Sequence, residues 1–378
     1  MREPKSDLIA AIASSVRLAS THALDLSFNE LMDMWENHEL DIQPDYQRLF
    51  RWTDEQQSRF IESLLLEMPV PPIFVIEEEE GRYLLIDGLQ RISSYLHFRG
   101  KLSAPHFNPP VESGHMLELV DCDIVPELNG STYDSLPTAL QIRLKRAFIR
   151  VEVIRKETDP RFKYHMFKRL NTGGEVLSEQ QVRNATIRLL DPRLPDFIIT
   201  TSQIPNFQET LTYLTDERRL SAFDQELVVR FFALKNQRGR FRHGVAEFLT
   251  NFMEGIADPK RAEPFDYDFE TACFKKTFDL LKAALGEYAF AFANRRRDDL
   301  SGGFSIYHFE AITIGLQTIL DRISPTDASK IAQLTIALRT IKLDPEFIRL
   351  TTGGGKNSPG PLNDRINFVA TRLTNEFS

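Results

Sequence analysis

Cysteine is nearly absent from this chain of 378 residues. Cys122 and Cys273 are its only two, far apart in sequence. That excludes a disulfide framework and a cysteine-rich zinc site, and it suits a reducing compartment, so a cytoplasmic location is expected. Long apolar runs are also missing. None approaches the length needed to span a bilayer, and no membrane partner is expected. The opening Met1-Arg2-Glu3-Pro4-Lys5 leads into a short Ala/Ile/Ser stretch that reads as a frayed tail or weak helix, not a signal peptide. There is no basic excess: the net charge is -8, so any nucleic-acid contact needs a local patch. Trp and Tyr are sparse at 2 and 9, whereas Phe reaches 28. That balance suits packing between helices more than a base-stacking surface. With 42% hydrophobic and 26% charged residues, the composition is that of a soluble globular protein long enough for two domains.

Local signals divide the chain in two. Ser27 with Glu30, Thr53 with Gln56 and Ser178 with Gln181 each place a hydroxyl three residues ahead of a Glu or Gln, the spacing of a capping box. Ile73–Ile76 and Tyr83–Ile86 are β-rich runs separated by the acidic, turn-like segment 77–81, and together they predict a hairpin. A helix follows over 88–98 and stops at Gly100. Residues 101–135 read as loops and short strands, 136–147 as helix, Phe148–Ile154 as a half-buried strand and 160–170 as helix. After Asp191-Pro192 almost every segment has helical period, around 219–235, 243–255, 268–293, 305–322, 327–342 and 361–376. The expected fold class is α+β, with a small mixed sheet in the N-terminal domain and an all-α helical C-terminal domain. The expected divisions are a tail over 1–24, a first domain over 25–191 and a helical domain over 192–378.

The sharpest chemical feature is a strand that ends in Asp87-Gly88 and passes at once into a helix carrying Gln90 and Arg91. Free amides and the helix dipole at such a start favour an anion. Gly88 lets the backbone bend, and Arg91 can grip two phosphate oxygens. Gln90 can orient a water, and Asp87 can hold a divalent metal or fix Arg91. The bland alternative is that Asp87 caps the helix and Arg91 pairs with surface acids. Two further polar clusters join it: Pro44-Asp45-Tyr46-Gln47-Arg48 with Arg51 and Trp52, and Asn171-Thr172-Gly173-Gly174 with Arg183-Asn184. In the second, adjacent glycines before a capped helix can form an anion nest, and Asn171 suits metal or phosphate, though a plain helix–turn–helix explains it equally. Arg238, Arg240 and Arg242 line a Gly-hinged basic segment that could touch a nucleic-acid backbone, or be an ordinary solvated loop.

Taken together and in order, Pro44-Asp45-Tyr46-Gln47-Arg48 with Trp52, Ile86-Asp87-Gly88-Leu89-Gln90-Arg91, and Leu170-Asn171-Thr172-Gly173-Gly174 with Leu177-Ser178 and Arg183-Asn184-Ala185 resemble the GmrSD-type restriction N-terminal domain, which is similar to the ParB and sulfiredoxin fold. The resemblance covers roughly 25–190. It implies a nucleoside-triphosphate pocket whose D-G-Q-Q-R motif binds and hydrolyses nucleotide to power or gate cleavage of foreign DNA. Carried over, Asp87, Gln90 and Arg91 are the catalytic set. Gln47, Arg48, Gly88, Asn171, Thr172 and Gly173 contact the nucleotide, and Asp87 and Asn171 hold Mg2+ or another divalent cation. Leu89 stands where the family usually has its first Gln, which implies weaker hydrolysis with binding retained. Family members often add a C-terminal HNH nuclease domain. Here the eight histidines show no pairing or His-Asn spacing, so no such domain is expected. Three readings stand: an NTP-hydrolysing protein of a restriction or phage-defence system, a non-catalytic nucleotide or DNA sensor that recruits a separate nuclease chain, and a DNA nuclease using the same polar cluster.

Overall fold

In the computed structural model the described residues are Leu8, Ile12 and the stretches 20–42, 52–79, 81–103, 110–170, 178–242, 244–261 and 263–378. They form two compact units, Met1–Leu177 and Ser178–Ser378. The division falls earlier than residue 192, because the helix that opens at Ser178 packs against helices that follow it. Among the described residues no helix is long and apolar enough to cross a membrane.

The first unit is built on a five-stranded mixed sheet of order β1-β5-β3-β4-β2. Its strands are β1 (Thr21–Ser27), β2 (Leu40–Asp41), β3 (Ile73–Glu79), β4 (Arg82–Asp87) and β5 (Phe148–Ile154). Strands β1 and β5 pair antiparallel, with Thr21 opposite Ile154 and Ser27 opposite Phe148. Strands β3 and β5 run parallel, with Ile73 opposite Val151. The expected hairpin is β3–β4, antiparallel and with register shifts at both ends. Strand β3 continues through Glu79, so the acidic residues Glu77 to Glu79 belong to the strand and not to the turn.

The tail expected over 1–24 is shorter than that. Thr21–Ala23 already lie in edge strand β1, where Leu24 and Leu26 alternate with Asp25 and pack on the core. The weak-helix reading of the tail falls largely outside the described residues. Residues 101–135 hold no regular strand among those described. A 3-10 turn at Pro126–Leu128 and buried Leu117, Leu119 and Cys122 organise them instead.

Five helices pack with this sheet: α1 (Phe28–Glu36), α2 (Asp54–Leu65), α3 (Leu89–Phe98), α4 (Thr138–Arg146) and α5 (Pro160–Leu170). Thr53 and Gln56 form the full reciprocal capping box expected of them. Ser27 makes only its half, accepting from the Glu30 amide at 3.1 Å. Phe28 is the hub of the core, stacked on Tyr95 at 5.0 Å and edge-on to Phe60 at 5.8 Å.

The second unit is helical. Its long members are α6 (Glu179–Arg188), α7 (Arg193–Ser202), α10 (Phe223–Gln237), α11 (Val245–Ala257), α12 (Tyr267–Leu285), α13 (Ile306–Gly315), α14 (Ala328–Leu343) and α16 (Pro359–Glu376), with short α8 (Pro205–Thr210), α9 (Asp216–Leu220) and α15 (Pro345–Thr351) between them. The helix expected over 268–293 is cut at Leu285 by Gly286, whose φ is 55°. A two-stranded ribbon, β6 (Phe292–Ala293) with β7 (Leu300–Ser301), follows in place of its end. The phenylalanine excess is spent here. Phe207, Phe231, Phe274, Phe278 and Phe309 are fully buried; the first four meet edge-on or tilted, with Phe274 and Phe278 at 4.4 Å, and Phe309 stacks on Phe278 at 6.2 Å.

An alternating chain of charges is buried in the same unit. Arg183 Nη2 donates to Glu226 at 2.6 Å, and Glu226 accepts from Arg230 at 2.9 Å. Arg230 donates to Glu310 at 2.5 Å, and Glu310 also takes the guanidinium of Arg365. These side chains tie α6, α10, α13 and α16 together. Removing one member strands its partners as unpaired charges in a dry interior, which typically costs about 3–5 kcal/mol. Glu310→Ala should therefore shift the urea unfolding midpoint by that order. Glu346→Ala, which breaks an exposed pair with Arg349, should leave the midpoint near wild type.

Candidate functional site

The site begins with Gly88. It is the N-cap of α3 and sits at φ 111°, a left-handed conformation that favours glycine. The wall behind it is as restrictive as the torsion. A Cβ at this position would lie 2.3 Å from Ile73 Cγ2 and 2.9 Å from Ile73 Cβ. The turn can therefore lie flat against β3 only without a side chain. That same lack leaves the first-turn amides of α3 uncapped by any side chain at the N-cap position. Such an end carries partial positive charge and favours anions.

Arg91 is one turn into the helix and folds back toward the strand. Its Nη2 donates to Asp87 Oδ2 at 2.9 Å and to the Pro72 carbonyl at 3.1 Å. The arginine side chain is 14% exposed and the aspartate 42%. Asp87 fixes Arg91, one of the two roles open to it. Asp87 does not cap the helix, since Gly88 occupies the N-cap position. Arg91 Nε is buried without a hydrogen-bond partner, so the guanidinium keeps one unsatisfied donor.

Gln90 is anchored from the other side. Its Oε1 accepts from the Trp52 amide at 3.1 Å. The Trp52 carbonyl in turn accepts from Gln57 Nε2 at 3.3 Å, and that nitrogen also reaches Asp54 Oδ1 at 3.1 Å. With the amide nitrogen of Gln57 committed to acceptors, its Oε1 must accept. The 2.9 Å contact to His97 Nδ1 therefore puts the imidazole proton on Nδ1. A relay of side chain and backbone thus runs from His97 through Gln57 and Trp52 to Gln90. Sequence reasoning missed Gln57 and His97. The available signal was spacing, because Gln90 and His97 are seven residues apart and share a helix face. Burial pushes the His97 imidazole down from its ordinary value of 6.5. Asp54 partly opposes this, and His115 adds to it.

Leu89, the departure from the family pattern, is partly buried and packs on the hydrophobic core of the first unit. Gln47, Arg48, Asn171, Thr172 and Gly173 lie outside the described residues. Among the described residues no group of three His, Cys, Asp or Glu side chains could hold a metal ion. Arg183 and Asn184 prove to be structural: Asn184 bonds Gln180 at 2.7 Å and Gln225 at 2.6 Å, and Arg183 opens the buried charge chain. In the basic segment, Arg240 pairs with Glu263 at 2.6 Å and Arg242 donates to the Gly239 carbonyl, while Arg238 is half-buried in a 3-10 turn. The charge offered there is smaller than the count of arginines suggests.

A small mixed sheet delivers a glycine turn and an arginine to an uncapped helix start within an α+β domain. Residues 29–188 match the family model described as the GmrSD restriction endonuclease, N-terminal domain, so this stretch is similar to that family. No curated protein and no solved structure matches the chain.

Two outcomes test the geometry. Gly88→Ala adds a positive-φ strain and an overpacked contact, each of order 1–3 kcal/mol, so the melting temperature should fall markedly. The double variant with Ile73→Ala should lose less than the sum of the two single losses, because the clash goes with the side chain. The second concerns pH. The folded chain binds the His97 proton less readily than the unfolded chain does. The stability this residue contributes is complete above about 6.5 and is lost as the pH falls below it. His97→Asn should flatten the decline in melting temperature between about pH 7.5 and 5; an unchanged slope would discard the assignment.

Proposed function

We propose that the chain binds a nucleoside triphosphate at the Gly88 turn and hydrolyses it within a DNA restriction or phage-defence system. The observation that carries this reading is the combination of the uncapped α3 start with Arg91, whose buried Nε lacks a partner. The amides would take phosphate oxygens, and the backbone can approach them closely because position 88 has no side chain. The guanidinium of Arg91, held in place by Asp87 and the Pro72 carbonyl, would offset charge that builds on the transferring phosphoryl group. Gln90, fixed by the Trp52 amide, would place the attacking water. Gln47, Arg48, Asn171, Thr172 and Gly173 remain the proposed complement of the pocket. Asp87 and Asn171 would hold a divalent cation such as Mg2+, which would supply positive charge beside the phosphates.

The fold likeness to ParB and sulfiredoxin, the contact of DNA by Arg238, Arg240 and Arg242, and a cytoplasmic location are parts of the same proposal. DNA cleavage is assigned to a separate nuclease chain or to this domain acting on DNA directly. A second reading is favoured by one observation. Leu89 packs on the core where the family usually carries a polar Gln, which suits a nucleotide sensor that binds without turnover.

Phosphate release measured across the four NTPs, with and without DNA, separates the two, alongside a thermal-shift series with the same nucleotides. Hydrolysis with loss of about 100-fold or more in Arg91→Ala supports the enzyme. A nucleotide-dependent rise in melting temperature without phosphate release supports the sensor. Neither signal in the wild-type chain would sink both. Nicking of plasmid in Mg2+ alone would favour a nuclease.

A further inference from the structure

Away from the Gly88 turn, the first unit carries a groove of about 760 Å³ between the end of α2, the Glu67–Val70 stretch, α4 and the start of β5. Its floor is aliphatic, formed by Leu64, Met68, Val70 and Ile142. Several of its apolar side chains face outward: Phe148 is 68% exposed, and Met68 and Ile142 are each 44% exposed. Arg143, Arg146 and Arg150 line its margin, against the single acid Glu67. Arg143 and Arg150 are partly neutralised, by Glu67 at 3.7 Å and by Glu152 at 2.9 Å. Arg146 and the neighbouring Lys145 are exposed and have no ion-pair partner among the described residues. Helix α4 itself, Thr138–Arg146, contains three basic residues and no acid. An exposed apolar patch rimmed by charge of one sign is the mark of an interaction surface. Here the sign is opposite to that of the whole chain at -8.

We propose that this groove docks an amphipathic helix of a separate protein chain, with apolar anchors flanked by acidic residues. Charge complementarity fixes the occupant. The positive rim would attract and orient acidic flanks, while anchors spaced i, i+4 and i+7 fill the aliphatic floor beside Phe148. A nucleic acid is disfavoured on the same grounds. The lining offers aliphatic groups and one ring instead of a stacking platform.

The test is fluorescence polarisation of the full chain with a labelled synthetic amphipathic peptide carrying Leu and Phe anchors and glutamate flanks. Binding on the order of tens of micromolar or tighter is expected, weakening as salt rises. Arg146→Glu and Ile142→Glu should each weaken it about tenfold. Circular dichroism melts confirm that the variants fold, and Phe148→Ser provides a second apolar arm. The proposal is overturned by equal binding of a peptide with lysine flanks, by binding indifferent to these substitutions, or by no binding at all. Displacement by a single-stranded oligonucleotide in an Arg146-dependent manner would assign the groove to nucleic acid instead. Sedimentation showing a dimer that Ile142→Glu dissolves would assign it to a second copy of this chain. Either result ends the proposal.

Discussion

Gly88 has to be a glycine for two separate reasons, and the candidate site depends on both being met at one residue. Its torsion lies in the left-handed region, and its backbone lies too near Ile73 for a Cβ to fit. Strand β3 is in turn held by β5 on one side and β4 on the other, so the wall that excludes the side chain is the middle of the sheet and cannot readily yield. Strand end, turn and helix start are thereby locked into one rigid corner. Arg91 and Gln90 are then aimed by short contacts to Asp87, Pro72 and Trp52. The chemistry proposed for the site needs this kind of support, because a group that is already oriented loses little freedom when a ligand arrives.

The second unit solves a different problem. Its interior is rich in phenylalanine beside leucine and isoleucine, apolar groups that supply area but little directional selection among helix arrangements. The buried Arg–Glu chain adds direction. Each carboxylate of Glu226 and Glu310 serves two guanidinium groups, so a helix shifted by one turn would strand charges on both sides. Such networks contribute little net stability compared with an apolar core, yet they penalise alternative packings heavily.

Much of the fold was legible because its signals are local. The capping pairs Thr53/Gln56 and Ser178/Gln181, the hairpin of β3 and β4, and the strand–glycine–helix corner all depend on residues a few positions apart. Features set by distant partners were not. Strand β1 pairs with β5, more than a hundred residues later, and its short Leu24/Leu26 alternation is too weak to announce itself alone. Arg183 and Asn184 looked like site residues because they are polar and follow a glycine pair. Nothing nearby in sequence reveals that Glu226 and Gln225, some forty residues later, would meet them. His97 was hidden for the complementary reason: a histidine on an apolar helix face looks like filler until its partner Gln57 is placed beside it. The helix over 268–293 overran because periodicity continues through apolar residues past Gly286, and only the positive torsion there marks the stop.

The charge chain of the second unit also bears on how that unit comes together. Its members are drawn from helices spread along the sequence from Arg183 to Arg365, and the last guanidinium arrives close to the end of the chain. Until α16 docks, one carboxylate oxygen of Glu310 has no cation, and α13 cannot settle dry against its neighbours. The four helices are thus coupled through one network, and none can leave the interior without stranding charge on the others.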